Sequence, residues 1–293
     1  CPKHFAANSQ ELRRMASNSV LDERTLRELY LTAFEIVVRE AHPKAIMSAY
    51  NKVNGVYANE NEHLLLDILR KDWGFDGAVI TDWGGANDHV EGVKNGSTLE
   101  MPSPGLGAAR RMLEALEAGK LSEHTLDERV DELLELALST DKAIQIAPKK
   151  FDEAAHHQLA KRAAAESIVL LKNEDGILPL NPCRKVTLIG DFVRTPRYQG
   201  AGSSMVNPTQ LDSLADVAEA AGLNLIGYCS GYERSGKPNK AYRDEAVTQA
   251  KLADVVVLCI GLDESSESEG LDRTHICIPA VQKELLDAVA AVN

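Results

Sequence analysis

The spacing of apolar residues changes between two periods along the first half of the chain. Segment 22–41 opens with a suitable helix N-cap, Asp22, and carries apolar residues three and four positions apart: Leu26, Leu29, Tyr30, Ala33, Ile36 and Val37. The same period predicts helices over 62–72, 106–118 and 122–138, with further helical sequence ending near 92–96. Short apolar runs fit buried strands over 2–7, 45–50, 77–81 and 98–101. Strands that alternate with helices predict a parallel sheet covered by helices.

These stretches make four strand–helix units, whereas a closed (β/α)8 barrel needs eight. Half of a barrel leaves two unpaired sheet edges, so two interpretations stay open. The chain is either the second half of a (β/α)8 TIM-type barrel, with four units upstream of Cys1, or a different open sheet. It begins within a strand-like pattern and closes on the apolar, uncapped segment 285–293. Both ends favour the half-barrel, and we expect the chain to be a piece of a longer protein.

The second half of the chain has a different order of elements. Segment 143–152, which contains Pro148, is a predicted linker between a first domain over 1–142 and a second over 153–293. A helix is predicted over 152–172, buried strands over 185–190, 223–228 and 254–261, and helices between the strands over 211–221 and 242–252. This order predicts a doubly wound αβα layer sandwich that is also truncated.

The composition narrows the class of protein without naming it. The chain has 293 residues, 44% apolar and 26% charged, with a net charge of −12. This mixture excludes a disordered, collagen-like or coiled-coil chain, and no apolar run reaches the roughly 18 residues of a membrane helix. The negative charge argues against nucleic-acid and membrane partners. Five cysteines without a CxxC pair are expected to be buried free thiols, as at Cys229 and Cys259; this slightly favours the cytoplasm, with the compartment undetermined.

Polar and aromatic residues follow several of the predicted strands. Asp82 comes directly after strand 77–81, at the carboxyl end where parallel sheets bind their ligands; the alternative is that Asp82 caps the next helix. The other strand ends carry Lys3, His4 and Phe5, then Met47, Ser48, Tyr50 and Asn51, then Glu100 and Met101. Lys3 and His4 together suit a polyhydroxylated ligand, because lysine donates hydrogen bonds and histidine both donates and accepts them. No second histidine lies at a strand end, so a metal site is not expected.

An acidic loop follows the last predicted strand. It contains Glu264, Glu267 and Glu269, and it is either a solvated surface loop or a segment that lines a site. One carboxylate on a barrel and a second on such a loop suit glycoside hydrolysis, which needs an ionised nucleophile and a protonated acid. The glycine-containing run 200–204 lacks the GK[ST] ending of a phosphate loop, so a nucleotide is not expected there.

The motifs KHFAANSQE, IMSAYNKVNG, GFDGAVITDWGG, LEMP, VLLKNEDGILPL and EGLDR resemble, in this order, those of glycoside hydrolase family 3. The resemblance covers nearly the whole chain. It implies a (β/α)8-type barrel followed by an αβα sandwich whose loop reaches over the barrel's site. The run KHFAAN departs from the KHFPGHG of the family's N-acetylglucosaminidase branch, which points to the β-glucosidase-like branch.

The resemblance also implies a role for individual residues. Asp82 matches the nucleophile and Trp83 the aromatic residue beside it, while Glu269 matches the general acid/base, with Glu267 as the alternative. The residues that match the first sugar subsite are Lys3, His4, Met47 and Tyr50. The arginine and aspartate that the family supplies from earlier barrel strands have no counterpart in this sequence.

The resemblance therefore implies a retaining, exo-acting β-glycosidase, in the first place a β-glucosidase, acting on small-molecule or oligosaccharide β-glycosides. A β-xylosidase or α-arabinofuranosidase of the same family and a non-catalytic sugar-binding remnant stay open as alternatives. No metal or organic cofactor is expected. The oligomeric state is undetermined, and so is the activity of the 293-residue piece by itself.

Overall fold

The computed structural model describes residues 1–147 and 150–293, which divide into two compact units, Cys1–Lys149 and Lys150–Asn293. Part of the predicted linker 143–152 is helical, because the last helix of the first unit continues to Ile146 and the next helix begins at Glu153. Pro148 and Lys149, the middle of that linker, lie outside the described residues. Within the described residues, no helix combines the length and the apolar character that crossing a bilayer demands.

The first unit consists of short strands and longer helices. The strands are β1 (Asn18–Ser19), β2 (Ala45–Met47), β3 (Lys52–Val53), β4 (Val56–Tyr57) and β5 (Ala78–Ile80). Helix α1 covers residues 23–41 and alternates α-helical turns (Glu23–Thr25, Thr32–Ile36) with π-helical turns (Leu26–Leu31, Val37–Ala41). It is followed by the π-helix α2 (His63–Asp72), then α3 (His89–Lys94), α4 (Leu106–Glu117) and α5 (Glu123–Ile146).

Four chain segments run parallel in this unit, as the alternating pattern predicts. Strands β2 and β5 pair in register from Ala45 opposite Ala78 to Met47 opposite Ile80. Parallel single-residue bridges extend the pairing on both sides, Phe5 to Ser48 and Ile80 to Leu99. The predicted strands 2–7 and 98–101 are thus reduced to one bridge each. The ends of these two segments nevertheless reach the edge of the sheet where Asp82 lies.

Helix α1 buries a different face from the one the sequence predicts. Asp22 caps it as expected, accepting a hydrogen bond from the Thr25 backbone N–H at 2.8 Å. The buried residues are Leu26, Leu31 and Val38, whereas Leu29 and Ile36 are exposed. The π-helical turns explain the difference, since their hydrogen bonds span five residues instead of four and so rotate the apolar face.

The core of the first unit centres on Phe5, which is fully buried. Its ring packs edge-on against Phe34 of α1 at 5.1 Å and against Trp73, after α2, at 5.9 Å between centroids. Aromatic pairs of this geometry add to the free energy gained from burial alone. Phe5 is therefore a core residue, and its contacts hold the neighbouring backbone in place. Its position at the end of a predicted strand had suggested a residue of the functional site instead.

A small sheet of β1, β3 and β4 was not predicted. Strands β3 and β4 form an antiparallel hairpin, and β1 pairs in parallel with β3. The hairpin turns at Asn54 and Gly55, whose φ angles of 50° and 95° are the left-handed values that an Asn-Gly turn adopts. The sequence VNGVY contains this signal, so the hairpin was within reach of sequence reasoning.

A nearly buried group of charges joins α2, α5 and the segment before Leu99. Glu132 lies 2.9 Å from Arg70 and 2.7 Å from Arg129, and it accepts a hydrogen bond from Thr98 Oγ1 at 2.5 Å. Arg70 also donates to the carbonyl oxygen of Gly96 at 2.9 Å. Glu132 thus pairs with two guanidinium groups that are mostly withdrawn from water, and the exposed Glu128 adds a contact to Arg129 at 3.5 Å.

We expect Glu132→Gln to lower the free energy of unfolding of the first unit by roughly 3 kcal/mol, because it removes the carboxylate that pairs with the buried Arg70 and leaves Arg129 only the exposed Glu128, 3.5 Å away. Urea unfolding of the chain measures this change. Glu135→Gln, an exposed position on the same helix, is the matched control. Equal unfolding midpoints for the two variants would show that the ion group contributes nothing.

The second unit consists of strands β6 (Lys185–Ile189), β7 (Asn224–Cys229) and β8 (Val255–Leu258) and helices α6 (Glu153–Ser167), α7 (Leu214–Ala220), α8 (Lys240–Leu252) and α9 (Ala280–Ala290). The sheet order is β7-β6-β8, with both pairings parallel. Ile189 belongs to an apolar cluster with residues of α8 and α9, while Val186 and Leu188 belong to a second cluster with Ala218 of α7. The central strand therefore packs against separate groups of helices.

Three features of the second unit differ from prediction. Helix α6 ends at Ser167 instead of 172, since Ile168, the first of two consecutive β-branched residues, is already extended with a ψ of 126°. Helix α9 begins after Pro279 and ends at Ala290, so the predicted segment 285–293 is only its last part. All five cysteines are free, but only Cys229 is buried; Cys259 is partly exposed and the other three are exposed.

Candidate active site

Asp82 lies just beyond the end of β5, and it does not cap the helix that follows. That helix, α3, is capped by Asp88, whose Oδ1 accepts hydrogen bonds from the backbone N–H groups of Val90 and Glu91 at 3.0 and 3.1 Å. The alternative of a capping role for Asp82 is therefore wrong. Its carboxylate is available for another task at the carboxyl end of the strand.

The Asp82 carboxylate is held from two sides. Oδ2 lies 3.4 Å from His4 Nε2, and Oδ1 accepts the Trp83 backbone N–H at 2.7 Å. The side chain is only 14% exposed, whereas that of His4 is 34% exposed. These contacts orient a mostly buried carboxylate beside an imidazole that solvent can reach.

Tyr50 joins this group from the segment after β2. Its ring is almost buried, and its hydroxyl donates to the carbonyl oxygen of Trp83 at 2.9 Å. The Arg14 guanidinium lies 5.0 Å above the Tyr50 ring, a cation–π contact that no sequence motif signalled. The indole of Trp83 is 66% exposed, so it presents a flat apolar face to solvent.

The structure thus brings together four residues that the sequence singled out: His4, Tyr50, Asp82 and Trp83. Lys3 adjoins His4 and is exposed, and Met47 ends β2, where its backbone N–H donates to the carbonyl oxygen of Pro2 at 3.0 Å. In this unit a carboxylate, an imidazole, an ammonium group and an aromatic face therefore share one sheet edge. Such a set can hydrogen-bond hydroxyl groups and present a carboxylate to an electrophilic carbon.

Other strand-end residues support this edge from beneath. Ser48 donates to Asn59 Oδ1 at 3.0 Å, and the Asn51 side chain donates to the carbonyl oxygens of Ala6 and Ala7, each at 3.2 Å. Ser48 and Asn51 are fully buried. Glu100, a further strand-end residue, lies 2.6 Å from His89 Nδ1 in a partly buried pair. Ser48 and Asn51 therefore support the backbone and do not face solvent as ligand-binding groups do, whereas His89 and Glu100 line a separate surface cavity.

Glu60 was missed by the sequence analysis. One oxygen of its carboxylate accepts the backbone N–H groups of Asn87 and Asp88 at 3.1 and 2.5 Å. Burial raises the pKa of Glu60 above its ordinary value, and the nearby carboxylates of Asp88 and Glu91 act in the same direction. Nothing in a single sequence links a glutamate to backbone groups 27 residues away.

The acidic loop of the second unit engages its glutamates in different ways. Glu267 pairs with Arg197 at 2.5 Å, and the same guanidinium donates to the Glu267 carbonyl oxygen at 2.7 Å. Glu264 lies 3.5 Å from Arg234. Asp263 is buried, but hydrogen bonds from Ser266 and Ser265 outweigh the burial and lower its pKa. These contacts give the loop a fixed backbone rather than the freedom of a solvated surface segment.

Glu269 is held by the glycine-containing run 200–204. Its Oε2 accepts both the backbone N–H and the hydroxyl of Ser203, each at 2.5 Å, and its own N–H donates to the carbonyl oxygen of Ala201 at 3.1 Å. Gly202 has a φ of +109°, and a Cβ added there would lie 2.4 Å from Glu269 Cβ. The run 200–204 therefore binds a carboxylate of its own chain. The close approach of Glu269 explains why residue 202 is a glycine.

We expect Gly202→Ala to displace Glu269, because the new methyl group and the glutamate cannot occupy the same space. Hydrogen–deuterium exchange of peptides that cover 200–204 and 263–271 measures the displacement, and both should exchange faster. Gly236→Ala is the matched control, since Gly236 has a comparable φ of +77° and open space around it. Equal exchange in the two variants would show that the close approach does not order the loop.

No group of three or more histidine, cysteine, aspartate or glutamate side chains within residues 1–147 and 150–293 is arranged to hold a metal ion.

Comparison with family models matches both parts of the chain. Residues 1–136 match the glycosyl hydrolase family 3 N-terminal domain, and residues 168–293 match the family 3 C-terminal domain. A thermostable beta-glucosidase B of Acetivibrio thermocellus is 46% identical over 303 residues, covering 100% of this chain and 39% of that protein. An exo-alpha-(1->6)-L-arabinopyranosidase of Bifidobacterium breve is 41% identical, covering 99% of this chain and 39% of that protein.

Among solved structures, a family 3 beta-glucosidase of Bifidobacterium adolescentis superposes with a TM-score of 0.92 at 43% identity. The match covers 99% of this chain and 42% of that one. The chain thus spans about two fifths of the length of these relatives.

Proposed function

Because the chain belongs to glycosyl hydrolase family 3, we propose that it carries the catalytic groups of a retaining, exo-acting β-glucosidase. The observation that carries this proposal is the Asp82 carboxylate, held between His4 and the Trp83 N–H at the end of a buried strand. Its substrate is a β-linked sugar, which the name of the 46%-identical beta-glucosidase supports.

In the proposed mechanism, Asp82 attacks the anomeric carbon and forms a covalent glycosyl ester while the glycosidic oxygen leaves. Glu269 donates a proton to that oxygen and then accepts one from the water that hydrolyses the ester. Retaining glycosidases place their two carboxyl groups about 5–5.5 Å apart. Lys3 and His4 bind sugar hydroxyl groups, and Met47, Tyr50 and Trp83 line the first subsite.

The contacts of the acidic loop favour Glu269 over Glu267 as the acid/base. A residue that exchanges a proton in each half of the reaction is poorly served by a fixed ion pair, and Glu267 is engaged by Arg197 at 2.5 Å. Glu269 matches the acid/base in the EGLDR motif of the family, and the backbone N–H and hydroxyl of Ser203 are among its hydrogen-bond donors. Glu267 orders the loop in this proposal, and Glu269 does the chemistry.

We also propose the finer architecture that the family implies. Residues 1–142 form the second half of a (β/α)8 barrel, 143–152 a linker, and 153–293 part of an αβα sandwich. The four parallel segments of the first unit and the two apolar clusters against the β6 strand support this assignment.

Covalent trapping tests the nucleophile. The protein that contains this chain is incubated with an activated 2-deoxy-2-fluoro-β-glucoside, and the added mass is located by peptide mapping. We expect the label on the peptide with Asp82 and none in Asp82→Asn, because an amide does not form the ester. Asp76→Asn, an exposed aspartate just before β5, should be labelled like the wild type. A label on another residue would overturn the assignment.

The acid/base is tested by comparing Glu269→Ala with Glu267→Ala. Loss of the acid should slow substrates with poor leaving groups by roughly 10²–10⁴-fold and nitrophenyl glucosides much less, because the latter leave without protonation. Azide should restore turnover in the true acid/base variant by attacking the glycosyl ester in place of activated water. Rescue of Glu267→Ala instead would exchange the two roles.

A second substrate class is favoured by one comparison. The 41%-identical relative is named an exo-alpha-(1->6)-L-arabinopyranosidase, so a terminal pentose is the alternative sugar. The trapping experiment separates the two: labelling by the corresponding arabinosyl analogue, without labelling by the glucoside, would keep the mechanism and change the substrate. No label from either sugar on a folded protein would favour a sugar-binding remnant.

A further inference from the structure

We infer that Glu60 is a positioning residue for the nucleophile: its carboxylate fixes the far end of loop 82–88 and thereby sets the direction of Asp82. This inference rests on the proposed role of Asp82. It assigns to Glu60 no contact with substrate.

Loop 82–88 is tethered at three places. The Tyr50 hydroxyl binds the carbonyl oxygen of Trp83, and the Gly84 N–H donates to the carbonyl oxygen of Met101 at 2.8 Å. Both tethers act near the start of the loop. At its far end, the N–H groups of Asn87 and Asp88 converge on the Glu60 carboxylate. Between these tethers lies Gly85, and glycine restricts the backbone least of all residues. Asp82 therefore depends on both ends of the loop being held.

Glu60 is itself anchored, so it can serve as a fixed point. It ends the 3₁₀ turn Ala58–Glu60, and its carbonyl oxygen accepts a hydrogen bond from the Asn95 side chain at 2.8 Å. The preceding residue, Asn59, is buried, and its Oδ1 accepts the hydroxyls of Ser48 and Ser97 at 3.0 and 2.8 Å. The turn is thus fastened to the segment after β2 and to the residues after α3. Through its hydrogen bonds with the N–H groups of Asn87 and Asp88, Glu60 holds the far end of loop 82–88 against this turn.

The charges around Glu60 show that its acceptor oxygen matters more than its charge. The carboxylates of Asp88 and Glu91 face it, and Lys94, the nearest cation on α3, is engaged by Glu91 at 3.3 Å. Burial beside these anions raises the pKa of Glu60, so the ionised form is held at a cost in folding stability. A glutamine side chain offers the same carbonyl oxygen to both N–H groups without that cost.

Two substitutions separate these contributions. Glu60→Ala removes the acceptor, and we expect kcat for a β-glucoside to fall by about 10- to 100-fold, because a small displacement of a reacting group has effects of this size. KM should change less than about threefold, since Lys3 and His4 lie on a separate segment, and the cost of misplacing Asp82 appears in the bond-forming step. Glu60→Gln should keep kcat within about threefold, with a melting temperature equal to or above that of the wild type.

Glu62→Ala, an exposed glutamate two residues along, is the control and should match the wild type in every measurement. Hydrogen–deuterium exchange of the peptide that covers 82–88 should accelerate in Glu60→Ala and not in Glu60→Gln. Wild-type kcat in Glu60→Ala, or equal losses in the alanine and glutamine variants, would overturn the inference.

The trapping label distinguishes failure of this inference from failure of the proposed function. If the wild type is labelled at Asp82, the labelling rate of Glu60→Ala decides the inference, and a rate equal to the wild type overturns it. If neither the glucosyl nor the arabinosyl analogue labels the wild type, the proposed function fails, and with it the role of Glu60 as a positioning residue for catalysis.

Discussion

Parallel pairing of very short segments is the constraint on which the first unit depends. Each segment reaches the same sheet edge through a few backbone hydrogen bonds: Phe5 N–H to Met47, Ser48 N–H to Ile80, and Thr81 N–H to Leu99. Strands of three residues offer little pairing of their own, so side chains complete it. Thr81 Oγ1, for example, binds both the N–H and the carbonyl oxygen of Met101. Burial of these polar groups is tolerated because each has a partner.

Because side chains complete the pairing of such short strands, the residues at the strand ends divide into two classes. Side chains that turn inward, such as Ser48 and Asn51, satisfy buried backbone groups and hold neighbouring segments in register. Side chains that turn outward, such as His4 and Trp83, are at least partly exposed to solvent. Asp82 stands between the classes, with a buried side chain whose oxygens face an imidazole and a single backbone N–H. A carboxylate in that position is ordered and still able to react.

Sequence reasoning reached the parallel pairing of the strands and the residues at the sheet edge, because strand–helix alternation dictates where strand ends meet. It failed for features that depend on helix geometry or on contacts between residues far apart in the sequence. The apolar face of α1 was misplaced because π-helical turns rotate Leu29 outward. Glu60 escaped notice because its partners lie 27 and 28 residues on. The hairpin at Asn54 and Gly55, in contrast, has a clear turn signal in the sequence. It was not predicted because its two-residue strands are too short to show a periodic pattern.

In the second unit, side-chain contacts likewise order the acidic loop that follows β8. Four anionic side chains lie within seven residues and repel one another, so their order depends on unlike partners. These are serine donors for Asp263, Arg234 for Glu264, Arg197 for Glu267 and the Ser203 donors for Glu269. Arg197 also donates to the Leu262 carbonyl oxygen at 3.4 Å and so ties both ends of the segment together. Arg197 orders the loop through Glu267, and the Ser203 contacts of Glu269 join the loop to the run 200–204. In the proposed mechanism, the carboxylate that pairs with Arg197 and the carboxylate that transfers the proton are therefore two different residues of this loop.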